Sequence, residues 1–195
     1  MRQVILLLVF LISAVSAVPA RADDARLDEL FAALLEAGPD DWLGIEEEIW
    51  GEWGQSGSPA MDLLLERGRA KMRAGDLIAA ISDFSVLIEN APDFAEGWNA
   101  RATAYFMADL YGPSVSDIAH VLALEPRHFG ALAGLGAVLE EGGNLKDAKG
   151  AYEAALAIHP QRPDLREAKR GRSAAHVADN RGTWPDQYGQ DPLCH

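Results

Sequence analysis

The side chains able to do chemistry in this 195-residue chain are spread in a pattern that argues against a reactive centre. The histidines are His120, His128, His159, His176 and His195, and no two of them have the close helical spacing by which a motif such as H-E-x-x-H aims two imidazoles at one zinc ion. His128 and His159 fall in turns, where a solvated side chain is the simplest expectation. The only cysteine, Cys194, cannot close a disulfide within the chain, and His195 is the one neighbour that could activate its thiol, so it reads as a loose tail thiol. Glu140 and Glu141 are adjacent carboxylates, but no apolar pocket is apparent around them that would raise a pKa for acid catalysis. Nucleophile elbow, P-loop and dinucleotide fingerprint are all missing, and Gly134 and Gly136 lie inside a predicted helix. No catalytic, cofactor-binding or metal-ligating residues are assigned, which leaves binding as the expected activity.

Charge narrows what would be bound. The formal charge is −13 and the pI about 4.7, so nucleic-acid phosphates and anionic membrane surfaces would be repelled at long range, and a basic segment of a protein is a better match. With 49% hydrophobic residues and a mean hydropathy near zero, the chain can fill one domain. Residues 1–22 read as a secretory signal peptide: Arg2 precedes an apolar run over 4–18, and Ala20 and Ala22 are small residues at the usual cleavage positions. An uncleaved anchor is the weaker alternative, because the run falls short of the roughly 20 residues a spanning helix needs. The expectation is therefore an exported protein, periplasmic or secreted, without stable membrane insertion once the leader is removed.

The elements that would carry a binding surface show themselves by repetition. Pro92, Pro126 and Pro160 are spaced by 34 residues, and fixed offsets before each proline agree as well. In segments 61–94, 95–128 and 129–162, the fourth position holds Leu64, Trp98 and Leu132, and the eighth holds Gly68, Ala102 and Gly136. The twentieth holds Ala80, Ser114 and Ala148; the twenty-fourth, Phe84, Ile118 and Tyr152; the twenty-seventh, Leu87, Val121 and Ala155. Offsets of three and four put each set on one helical face, and a bulky residue paired with a tiny one suits two closely crossing helices. Between the two helices of each unit stand turn signals: Gly75 before Asp76, the stretch 109–112 before Pro113, and Gly143 before Asn144. Asp76 and Asn144 are apt N-caps, and Pro113 fits a first helical turn.

This pattern resembles the tetratricopeptide repeat, which is marked by a bulky fourth residue, small eighth and twentieth residues and a proline near position 32. The resemblance covers 61–162 and implies an all-α, right-handed superhelical solenoid of antiparallel helix hairpins. It is imperfect at position 7, often leucine in the family but Arg67 and Arg101 here before Leu135. Family geometry implies that positions 2, 5, 9, 12 and 13 line a concave face. On that basis the candidate partner-binding residues are Arg69, Arg73, Asn99, Thr103, Phe106, Met107, Ala133, Ala137 and Glu140. The family's clamp for a C-terminal carboxylate needs cationic and amide side chains across several repeats, and Gly130, Ala133 and Gly134 do not supply them. The expected site is instead mixed, taking an apolar anchor near Phe106 and Met107 and a basic segment toward Glu140 and Glu141.

Both flanks are predicted to be helical in part. Residues 23–60 read as an N-terminal hairpin, with helices over 27–37 and 40–53 separated by Gly38 and Pro39, and with Trp42, Ile45, Ile49 and Trp53 on one face of the second. It is taken as a degenerate repeat or a cap shielding the first repeat, and Glu46, Glu47 and Glu48 as its solvated side. Residues 163–172 are expected to form a capping helix on the third repeat. The stretch 173–195 has no periodicity and is expected to be disordered, either as an inert tail or as a short motif around Trp184, Tyr188 and Leu193. Together these features predict an interaction module of the cell envelope. The alternative is an accessory or regulatory subunit of an envelope enzyme or export complex.

Overall fold

Amphipathic stripes punctuated by prolines and turn residues produce a chain of short antiparallel helices, seen in a computed structural model that describes residues 22–170. Residues 1–21 of the expected leader, the last two residues of the expected capping helix 163–172 and the tail 173–195 therefore lie outside the described residues. The helices are α1 (Ala22–Glu36), α2 (Trp42–Trp53), α3 (Pro59–Arg73), α4 (Leu77–Asn90), α5 (Ala95–Met107), α6 (Tyr111–Leu124), α7 (Phe129–Glu141), α8 (Leu145–Ile158) and α9 (Pro163–Lys169). No strand occurs among the described residues. Three hairpins, α3 with α4, α5 with α6 and α7 with α8, stack in sequence, and the first helices of neighbouring hairpins also touch. The result is an all-α solenoid.

The crossing within each hairpin depends on the eighth and twenty-fourth positions. A Cβ on Gly68 would stand 2.3 Å from the Phe84 ring, and one on Gly136 would stand 2.4 Å from that of Tyr152. The aromatic rings occupy the volume that any larger residue would need. In the middle hairpin Ala102 and Ile118 fill the same places, and the buried Ser114 donates to the Ala102 carbonyl at 2.8 Å, so its hydroxyl costs little to bury.

The turns obey the same period. Gly75, Asp109 and Gly143 all adopt positive φ, and the following residue in each case donates its N–H back to the carbonyl five residues earlier. The turn needs a left-handed residue, which glycine adopts freely and aspartate at some cost. Asp76 and Asn144 then accept the N–H groups of Ala79 and Asp147, capping α4 and α8. The stretch 109–112 differs from its reading as a turn, because Tyr111 and Gly112 already belong to α6.

Arg67 and Arg101, which break the family pattern at position 7, are paired inside their own hairpins. Arg67 donates to both oxygens of Asp83 at 2.7 Å, and Arg101 donates to both of Asp117 at 2.7 and 2.9 Å. Both pairs span 16 residues, from the first helix to the second. A hydrocarbon contact has been exchanged for a forked ion pair of the strong bidentate kind.

The N-terminal hairpin departs from expectation. α1 and α2 pack together, but their core residues Leu27, Leu30, Phe31, Leu34, Ile49 and Trp53 join a cluster with Phe129, Tyr152, Ala155, Leu165 and Ala168. The first repeat buries a separate set, with Leu65, Met72, Phe84 and Leu87 closing on Ala100 and Ala104 of α5. The idea of a cap on the first repeat is corrected accordingly: this hairpin folds back to the far end of the solenoid. The physical reason is where matching surface exists, since the third repeat exposes Phe129 and Gly130 and two basic groups to the aromatic and acidic face of α2.

Candidate functional site

The candidate residues are carried by α3, α5 and α7, the first helices of the three hairpins. At their centre is Glu96, in the first turn of α5 and buried completely. Arg69 Nη2 of α3 donates to Glu96 Oε1 at 2.7 Å, and Asn99 Nδ2 donates to Oε2 at 3.0 Å. His128 Nε2 lies 3.2 Å from Oε2, while its Nδ1 accepts the N–H of Ala131, which puts the ring proton on the nitrogen facing Glu96. Burial opposes ionisation of Glu96, but the His128 hydrogen bond and the Arg69 charge outweigh it and hold the carboxyl below its ordinary value. Thr103 donates to the Asn99 carbonyl at 3.0 Å. Arg69, Asn99 and Thr103 are thus brought together, as parts of one hydrogen-bonded frame.

Further along α5, Asn99, Thr103 and Phe106 line a narrow crevice with Gly130, Ala131 and Gly134 of α7, about 10 Å³ in volume, which is no more than one water requires. Phe106 leans on Tyr111 with ring centroids 5.8 Å apart, and Met107 keeps 42% of its surface in solvent. Arg73 stands exposed at the end of α3. In the third repeat Ala133 packs on the cluster shared with α1 and α2, Ala137 is half-buried, and Glu140 accepts the Tyr152 hydroxyl at 2.9 Å. The candidates therefore do not make one continuous open groove.

What interrupts it is α2. The Trp50 indole lies against Gly130, where an added Cβ would stand 2.5 Å from the ring. Trp53 stacks on His128 with centroids 4.0 Å apart and planes 6° from parallel, and both tryptophans flank Phe129. Glu46, one turn before Trp50, receives hydrogen bonds from Trp50 Nε1 at 3.1 Å and Arg162 Nη1 at 2.8 Å, and its other oxygen is 3.0 Å from His159 Nε2. Burial again opposes its ionisation, yet His159, Arg162 and Trp50 keep its carboxyl below the usual range. Outside this core, Arg127 of the connection before α7 pairs with Asp28 at 2.5 Å and lies over the Phe31 ring, and Gln161 donates to the Ala37 carbonyl.

Three readings of the sequence are overturned here. His128 and His159 are fully buried partners of glutamates, not solvated turn residues, and Glu46 is 8% exposed, not part of a solvated face. Each of these groups meets its partner across 32 or 113 residues, a separation that carries no local signal. The i, i+4 spacing of Glu46 and Trp50 was legible, but nothing in it pointed to Arg162. The seal is also imperfect: Trp53 Nε1, His159 Nδ1 and Gln161 Oε1 are buried there with no partner among the described residues. Each such atom costs about 1–3 kcal/mol.

Comparison with known proteins decides the family. A TPR repeat-containing protein of Rhizobium etli is 43% identical over 136 residues, covering 69% of this chain and 67% of its own length. The chain belongs to the tetratricopeptide repeat proteins. No model of a protein family matches the sequence. Among solved structures, the tetratricopeptide domain of Sgt2 from Aspergillus fumigatus superposes with a TM-score of 0.57 at 22% identity, covering 69% of this chain and 91% of that one. MamA superposes at 0.55 and 18%, covering 83% and 89%. The first tetratricopeptide domain of Spaghetti, solved with an HSP90 peptide, superposes at 0.55 and 23%, covering 61% and 90%. These likenesses describe the fold of this tetratricopeptide protein.

Proposed function

We propose that the chain is a protein- or peptide-binding module that engages its partner through the first helices of its repeats, and that it works in the cell envelope after export. The observation carrying the first part is the face shared by α3, α5 and α7, where the Arg69–Glu96–Asn99 frame sits beside Phe106 and the exposed Met107. A rigid, hydrogen-bonded base next to a solvent-facing apolar side chain is what an anchored peptide needs. The peptide complex of the Spaghetti domain lends the reading a precedent on the same fold. Export rests on the pattern of residues 1–22 alone. No helix among the described residues is long and apolar enough to cross a membrane.

The test is capture of partners from an envelope fraction, followed by affinity measurements with Met107→Ala and Phe106→Ala. At least tenfold weaker binding by a chain with unchanged circular dichroism is expected. Affinity within twofold of the parent would reject this face as the binding surface.

A further inference from the structure

We infer that the surface formed by the starts of α7 and α9 is a helix-receiving site, and that α2 is its internal, displaceable occupant. The partner it fits is an amphipathic helix carrying a carboxylate followed by aromatic side chains four and seven residues later. That is the pattern with which Glu46, Trp50 and Trp53 fill the site now. The inference deepens the proposed function and rests on it, by naming the partner chemistry of the third-repeat end of the same face.

Three observations support it. The receiving surface is built for this ligand. Gly130 leaves the hollow that the Trp50 indole enters, His128 offers its face to Trp53, and Arg162 with His159 forms a buried basic pair around one carboxylate. Arg162 is itself held from the repeat side by Asp164 at 2.8 and 2.6 Å, so its guanidinium does not depend on α2 for its placement, while His159 packs edge-on to Phe129 of α7 as well as to Trp42 of α2. Second, the occupant is tethered where it does not pack: the hairpin shares no core with the adjoining first repeat, and it joins α3 through Gly54 to Ser58, with Gly57 at positive φ. Third, three buried polar atoms at this contact have no hydrogen-bond partner among the described residues: Trp53 Nε1 on the occupant, and His159 Nδ1 and Gln161 Oε1 on the receiving side. Thus α2 leaves its own indole N–H unsatisfied there, and a foreign helix that satisfied His159 or Gln161 would have an advantage over it.

Displacement would be felt in the rest of the binding face. Trp53 stacks on His128, His128 meets Glu96, and Glu96 holds Arg69 and Asn99, so one chain of contacts runs from the occupant to the candidates in the first two repeats.

The test uses a labelled peptide with the sequence of residues 41–55 and the full chain. The E46A/W50A variant, with its own occupant weakened, is expected to bind the peptide at least tenfold more tightly than the parent does, and a peptide carrying W50A is expected to lose that gain. Equal affinity of folded parent and variant, or no binding to either at millimolar peptide, overturns the inference. Native-state hydrogen exchange of the parent decides the matter if the variant does not fold. Saturating peptide should speed exchange in α1 and α2 at least tenfold while α3 to α6 stay protected. Exchange of α1 and α2 only with global unfolding, unchanged by peptide, overturns it. A concentration-dependent dimer with hairpins exchanged between copies would overturn the assignment to a foreign partner. If a captured envelope protein binds through Phe106 and Met107 but the peptide does not bind, this inference fails while the proposed function stands.

Discussion

The first two repeats and the N-terminal hairpin are both fastened by ion pairs, but of opposite character. Arg67–Asp83 and Arg101–Asp117 join the two helices of one hairpin across 16 residues and recur with the repeat. Their arginines lie partly in water, 54% and 17% exposed. The Glu46–Arg162 ion pair, with the Glu46–His159 hydrogen bond beside it, joins chain segments 116 and 113 residues apart, all but dry. A local pair forms with the hairpin that carries it and gives a modest return in a polar setting. A distant buried pair contributes only once the whole solenoid exists, and losing one member strands the others in a medium that cannot solvate them. The repeats should thus tolerate loss of their pairs, whereas the hairpin's attachment should not.

The most damaging single change is expected in the core beneath the attachment. Tyr152→Ala removes the ring that fills the Gly136 hollow and touches the shared cluster, and should lower the unfolding free energy by about 3–5 kcal/mol in a urea titration. An effect near zero would mean that the hairpin and third repeat do not share a core. Glu46→Ala comes next, at about 3 kcal/mol, moderated because Arg162 keeps Asp164. Its signature is loss of near-ultraviolet circular dichroism from Trp50 and Trp53, with far-ultraviolet helicity of the repeats retained.

Acid provides the same comparison without mutation. Glu46 and Glu96 have folded-state pKa values below the ordinary 4.5, so the stability they contribute is present above that value and is lost as pH falls through the folded values. The tryptophan signal of the hairpin should therefore decay below pH 4.5 in the parent, and Glu46→Gln should flatten that dependence. An identical acid limb in the variant would remove Glu46 from the account.

Smaller effects are expected within the repeats. Arg101→Leu leaves Asp117 buried without its partner and should cost about 1–3 kcal/mol. Arg67→Leu should cost less, since Lys71 also reaches Asp83 at 2.6 Å. If Arg67 proved the more sensitive, the weight given to exposure would be wrong. Last, Asp109→Gly relieves a left-handed aspartate and should raise stability by about 0.5–1 kcal/mol, measured as a higher melting temperature.

The sequence by itself determined the hairpins. A 34-residue period in size, with a small residue facing a large one and proline closing each unit, concerns residues that meet within one hairpin or its neighbour, so spacing along the chain already encodes their contacts. Even the arginines at position 7, read as irregularities, had their partners at a constant offset that the same period could have revealed. Membership of Arg69, Asn99 and Thr103 in one frame was half legible: their helix faces were, but the buried Glu96 and His128 that bind them were not. Only the tertiary structure decided where the N-terminal hairpin goes and what α2 covers. Trp50 and Trp53 declare an apolar face without naming its partner, and Glu46 looks like any solvated carboxylate until the solenoid brings Arg162 and His159 to it. Burial and long-range pairing are properties of the assembled surface, and no local pattern records them.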